Sequence, residues 1–171
     1  MKTFVAALAI ALLAGFVPPT VRAADPQMPN VHLDADNGAG RPVEELTRKS
    51  VARDYAKAWR TLAQSLELNR AELIGNDFTG IAEEKFEATV ASQAKAGLRT
   101  RYVDRGHKVE VLFYSPEGLS MELRDTAQLE RQVLDGDKVI QSEQVTKHYI
   151  ALMTPTEVRW KVRLLQEVPG Q

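Results

Sequence analysis

Residues 109–133 read VEVLFYSPEGLSMELRDTAQLERQV, and this stretch decides the fold. Val109, Val111 and Phe113 alternate with Glu110, Leu112 and Tyr114. After the turn Ser115-Pro116-Glu117-Gly118, Leu119, Met121 and Leu123 alternate with Ser120, Glu122 and Arg124. The alternation continues through Ala127, Leu129 and Val133 against Gln128, Glu130 and Gln132. A period of two over this length marks strands with one buried and one solvated face. The second strand is unusually long, which predicts a bulge or bend within it. Asp135-Gly136 is a strong hairpin signal, residues 139–153 form the return strand, and residues 154–157 turn into Val158, Trp160, Val162 and Leu164.

Upstream of Gly97 the period is helical. Val51, Tyr55, Ala58, Leu62 and Leu66 step by three or four across residues 43–68, and Ala52, Ala56, Trp59 and Ala63 widen that stripe. A short helix is expected over residues 70–74. A further helix follows Thr79, with Ile81, Ala82, Phe86, Val90 and Ala94 on one side and Gly97 as its stop. Helices followed by a one-side-apolar meander give an α+β fold. Its long N-terminal helix and shorter helices pack on a curved antiparallel sheet of about four strands, a cone in which Val51 and Trp160 share one interior.

The N terminus carries an address. Lys2, an apolar run from Phe4 to Val17, then Val21-Arg22-Ala23 make a secretory signal peptide over residues 1–23, with cleavage after Ala23. The run is too short for a stable membrane span. Residues 24–42 are rich in Pro, Asn, Asp and Gly and are expected to be a disordered leader. A single domain then covers residues 43–169. The chain has 171 residues, no cysteine and a formal charge of -1. Disulfides, thiolate metal sites and a cysteine nucleophile are thereby excluded, and the charge gathers no nucleic acid. An exported chain without disulfides suits a bacterial periplasm or secretion.

Few constellations point to chemistry. Ser92 and Lys95 spell S-x-x-K, but its partner motifs S-D-N and K-T-G are missing. Asp34, Asp36 and Glu45 have calcium-loop spacing, yet Gly38 stands where an oxygen ligand is needed and Ala39 where the turn glycine belongs. His32, His107 and His148 are scattered, with His107 in an expected turn over residues 105–108, so no metal or cofactor is expected. Arg99, Arg101, Arg105 and Lys108 surround Tyr102 as a basic rim. Arg159, Lys161 and Arg163 are expected to meet Glu122 or Glu130 across the sheet. Asp125 is the exception. Strict alternation puts it on the apolar face with Leu123 and Ala127, where burial raises a carboxyl's pKa and suits it to act as a general base. Arg131, Glu143 and Lys147 also fall on inward positions, where ion pairs would satisfy them. Tyr55, Trp59, Phe86 and Trp160 are candidates to line a ligand pocket with Asp125.

The element order, with Tyr55-Ala56-Lys57-Ala58-Trp59 and Leu62, the loop Phe78-Thr79-Gly80, a helix ending near Gly97 and the closing Val158-Arg159-Trp160-Lys161-Val162, resembles the nuclear-transport-factor-2-like (cystatin-like cone) superfamily. Within it, residues 47–166 look most like the Tim44-like group, which includes the IMS-type domains of plastid and cyanobacterial division proteins. The resemblance implies a cone with a pocket between sheet and helix. Some members use that pocket as isomerases, dehydratases or hydrolases. Others bind lipids or proteins, and many pair through the open face of the sheet.

The sequence therefore supports an exported, non-catalytic domain that binds a partner protein or a small apolar ligand. A homodimer would use the polar sheet face carrying Glu122, Arg124, Gln128, Glu130, Arg159 and Arg163. The alternative is a small cofactor-free acid–base enzyme with Asp125 as base.

Overall fold

The change of period at Gly97 is where the chain passes from helices to sheet. In the computed structural model, which describes residues 27–170, Gly97 has a φ of 72°. Strands β1 (Val31–Asp34) and β2 (Ala39–Gly40) come first. Helix α1 (Glu45–Leu68), a 3-10 turn (Ala71–Asn76) and helix α2 (Gly80–Lys95) follow. The remainder is the meander β3 (Leu98–Tyr114), β4 (Met121–Asp135), β5 (Lys138–Pro155) and β6 (Trp160–Val168). The expected signal peptide over residues 1–23 lies outside the described residues.

The sheet runs β1-β3-β4-β5-β6, with β2 also on β3. Its four long strands are antiparallel, as the alternation requires, while β1 and β2 join β3 in parallel. Two expectations are corrected here. The stretch 24–42 was expected to lack structure, yet it supplies both short strands. Leu33 enters the core and Arg41 N–H donates to the Tyr114 carbonyl at 3.1 Å. Four residues are too few for period-two alternation to stand out, and the Asn, Asp and Gly around them serve as turns between strands. Gly40 is needed there: at its φ of 94°, an added Cβ would stand 2.0 Å from the Tyr114 carbonyl oxygen.

The second correction concerns the bend. β4 itself keeps its alternation from Met121 to Leu129. The register shifts put the extra residues on its neighbours instead: Arg105 and Leu112 on β3, and Ile140 on β5. A fourth shift inserts Arg163 on β6. Each inserted residue increases local twist, so the sheet curves although β4 is regular.

Helix α1 lies in that curve. Val51, Tyr55, Ala58, Trp59, Leu62 and Leu66 are buried against Val109, Leu123, Ala127, Ala151, Met153 and Trp160 in one hydrophobic core. Val51 and Trp160 do share one interior. The end of α1 is fixed by Asn69, whose left-handed φ of 53° ends the helix and whose side-chain amide donates to the Leu98 carbonyl at 2.9 Å. Helix α2 is less deeply set. Ala82 and Val90 are buried, but Ile81, expected on the same side, is exposed. The loop before α2 covers the edge of β6: Thr79 N–H donates to the Val162 carbonyl and Val162 N–H to the Asp77 carbonyl, at 2.9 and 3.0 Å. Among the described residues no helix is long and apolar enough to cross a membrane.

Leu123 is fully buried at the centre of β4, whereas Val158 is 79% exposed. Leu123→Ala is expected to cost about 3 kcal/mol in a urea titration, from lost burial and the cavity left behind. Val158→Ala should stay within about 0.5 kcal/mol of the parent.

Candidate functional site

Three local rules bring four polar side chains together inside the core. The i, i+4 spacing on α1 puts Tyr55 and Trp59 on one face. Unbroken alternation on β4 turns Asp125 inward with Leu123 and Ala127. The bulge at Arg105 then reverses the parity of β3. Asp104 stands opposite Leu129 and His107 opposite Ala127, so both face inward although they are an odd number of positions, three, apart. Gly106, at a φ of 137°, supplies the backbone the bulge needs. The turn expected at residues 105–108 is therefore a bulge inside one continuous strand. A glycine followed by a polar run suggests a turn, while the pairing partner that reveals a bulge is remote in sequence.

The Tyr55 hydroxyl donates to Asp125 Oδ2 at 2.8 Å. His107 Nδ1 lies 2.8 Å from the same oxygen, and His107 Nε2 lies 2.7 Å from Asp104 Oδ2. The Nε2 contact is an ion pair without the straight geometry of a hydrogen bond. Asp125 and His107 side chains are fully buried. Asp125 Oδ1 and Trp59 Nε1 find no hydrogen-bond partner among the described residues. Rings close the cluster: Trp59 is 4.7 Å from His107 and 5.2 Å from Tyr149, centroid to centroid.

The electrostatics follow from this geometry. Burial opposes the charged form of His107, but the close carboxyl groups of Asp104 and Asp125 on its two ring nitrogens outweigh it and raise the imidazole to about 9. Near neutral pH the ring is therefore an imidazolium held between two carboxylates. Burial first, and then the negative charge of Asp125, push the Tyr55 hydroxyl well above its ordinary value. Burial likewise raises Tyr102 and Tyr149. Chemically, the arrangement joins an acceptor oxygen with a free lone pair, Asp125 Oδ1, to two proton-bearing groups.

Of the five residues expected around a pocket, Tyr55, Trp59 and Asp125 meet here. Phe86 and Trp160 do not. Phe86 packs on Phe78 at 5.2 Å, and Trp160 packs on Tyr114 at 6.2 Å while its backbone N–H donates to Asp54 Oδ2 at 3.0 Å. The inward charges of the outer sheet are satisfied as ion pairs, Arg131 with Glu143 at 3.0 Å and Lys147 with Glu167 at 2.6 Å. Arg159 and Lys161 turn away from Glu122 and Glu130. Arg159 meets Asp77 at 3.1 Å and Lys161 donates to the Gly75 carbonyl at 2.7 Å, because the loop before α2 lies against β6. His148 contacts Thr126 at 3.2 Å, and His32 sits in β1. Among the described residues no group of three His, Asp or Glu side chains forms a metal site.

A groove of about 320 Å³ is lined by Arg105, Gln128, Leu129, Gln144, Val145 and Thr146. Asp125 is not among them. The lining includes the exposed Arg105, Gln128, Gln144 and Thr146, so the groove belongs to the surface of the sheet.

No family model matches the chain, and no curated protein matches it. Solved structures do. The intermembrane-space region of the chloroplast protein ARC6 is 15% identical with a TM-score of 0.59, over 70% of this chain and 97% of that one. The Kfla4162 protein from Kribbella flavida is 12% identical with a TM-score of 0.50, over 70% of this chain and 90% of that one. At these identities the likeness concerns the fold alone, a long helix and shorter helices on a curved, mostly antiparallel sheet.

The His107 contacts carry a pH dependence. The folded value, about 9, lies above the ordinary 6.5, so the stabilisation is complete below 6.5 and is lost as pH rises through about 9. Unfolding free energy is expected to fall by up to about 3 kcal/mol across that window. His107→Gln should flatten the curve over the same range, as followed by denaturant titration at each pH.

Proposed function

We propose that the protein is an exported interaction domain of the Tim44-like kind, one that holds a partner polypeptide on its surface and turns over no substrate in its cone. The observation that carries this reading is the closure of the interior. Asp125 and His107 are fully buried, and Tyr55 and His107 spend their hydrogen bonds on the same carboxylate oxygen. The groove and the exposed polar side chains lie on the outside. The likeness to an intermembrane-space domain supports the cone fold on which this reading stands.

A second reading has a specific observation behind it. Two proton-bearing groups converge on Asp125, and its Oδ1 has no hydrogen-bond partner among the described residues, which is a geometry suited to acid–base chemistry on a small molecule. Exchange of α-protons in enolisable ketones, followed by NMR in D2O, separates the two. Exchange catalysed by the parent and lost in Asp125→Asn would establish the enzyme reading. The interaction reading expects none.

Two measurements test the proposal itself. Sedimentation velocity over a rising concentration series is expected to show reversible association. A strict monomer at every concentration would remove self-pairing as the form of interaction. Export is read by intact mass: made with its own N terminus in a Gram-negative bacterium, the chain should be recovered outside the cytoplasm beginning at Ala24. Recovery of the uncleaved chain from the cytoplasm would count against it.

A further inference from the structure

Strand β5 is longer than its neighbour on one side. β4 pairs with it from Lys138 to Met153, but β6 pairs only from His148 to Pro155. Among the described residues, residues 138–147 therefore have no strand beside them on the β6 side. Ten residues span about 33 Å, and on either side of the bulge at Ile140 alternate residues point their N–H and C=O groups outward along that edge. Val139 and Ile140 are exposed there, at 42% and 53%. At the same end of the sheet, the facing edge of β3 is better guarded. The Asn69 amide occupies the Leu98 carbonyl, and Arg99, Arg101 and Arg105 line the strand. On β5 the four residues between Lys138 and Glu143 carry no charge.

We propose that residues 138–143 of β5 pair antiparallel with the same residues of a second copy, joining two sheets into one across a two-fold axis between Ile140 and Gln141. The inference rests on the interaction reading and names its partner. Charge sets the register. The register of greatest overlap would put Lys138 opposite Lys147, a like-charge pair. Sliding the copies until Lys138 faces Glu143 gives two opposite-charge pairs by symmetry. Val139 then faces Ser142 and Ile140 faces Gln141, so the exposed apolar side chains of both copies collect around the axis. Asp137, in the turn that leads into β5, comes to lie beside Gln144 of the other copy. A two-fold contact of this kind is closed, so it stops at a dimer. The bulge at Ile140 and the flanking lysines are devices that disfavour pairing with arbitrary strands, and they leave the charge-matched copy as the best partner.

The absence of native cysteine makes the test direct. In Val139→Cys/Ser142→Cys the two thiols of one chain sit about 10 Å apart along the strand, too far to bond with each other. Each directly faces the other's counterpart in the second copy. Oxidation is expected to give a disulfide-linked dimer on a non-reducing gel, and the parent is expected to sediment as a dimer. Lys138→Glu should weaken association roughly tenfold, and Lys138→Glu/Glu143→Lys should restore it. A parent that stays monomeric up to millimolar concentration overturns the proposal. So does a dimer that Val139→Cys/Ser142→Cys fails to trap but a single Arg124→Cys does. That last result would assign pairing to the sheet face and leave the interaction reading intact. Failure of the charge swap to restore pairing, with circular dichroism unchanged, overturns the register.

Discussion

The carboxylate of Asp125 ties the structure together. It stands at the centre of the sheet, and the groups that approach it come from α1 and β3, separated from it by 70 and 18 residues. A charge taken out of water costs several kcal/mol unless its surroundings replace the lost solvent. Here a hydroxyl and a ring nitrogen replace it on one oxygen. Apolar burial is non-directional and on its own says little about where along the sheet α1 must stop. A hydrogen bond from Tyr55 to a fixed carboxylate does set that point. Each bond to a charged group contributes about 1.5–3 kcal/mol, and the larger consequence is that one placement of the helix is singled out.

That anchor depends on an irregularity. Were β3 regular, Asp104 and His107 would point to opposite faces, and one of them would be in solvent. The extra residue at Arg105 sends both inward and leaves Arg105 itself on the surface, where it lines the groove and pairs with Glu130 at 2.9 Å. One backbone feature thus shapes the buried cluster and the outer surface together. The same is true elsewhere in the sheet: inserted residues at Leu112, Ile140 and Arg163 supply the curvature that lets a single long helix fill the concave side.

How much of this the sequence discloses follows from which signals are local. The stripe on α1 and the alternation on β4 are local, so Tyr55, Trp59 and Asp125 are recognisable from spacing alone. Asp104 and His107 are not, because their inward orientation depends on which residue of β4 stands opposite, and parity read along β3 fails at the bulge. Phe86 and Trp160 show the converse. Both are buried or half-buried aromatics at the right spacing, but spacing identifies a face and not the neighbour across from it. Residues 31–34 fail for a third reason. A four-residue strand docked in parallel owes its existence to the edge of β3, and its own composition reads as loop.

The fold by itself selects no function, since a cone of this kind offers an interior and an exterior and either one can be put to use. What separates them is access. A base that acts on a substrate must be reachable by it, or stand behind an element able to move. Asp125 is packed behind Tyr55, Trp59 and His107, all in contact with one another, so opening the cluster would also break the bonds that hold α1 in place. The exterior has the opposite economy of contacts. Along residues 138–147 the backbone groups of β5 on the β6 side have no strand partner among the described residues, and Val139 and Ile140 are solvated, so a partner there gains hydrogen bonds and buried area without disturbing anything already made. Association at the edge adds to the existing interactions, whereas chemistry in the core must first dismantle them, and the interaction reading rests on that asymmetry.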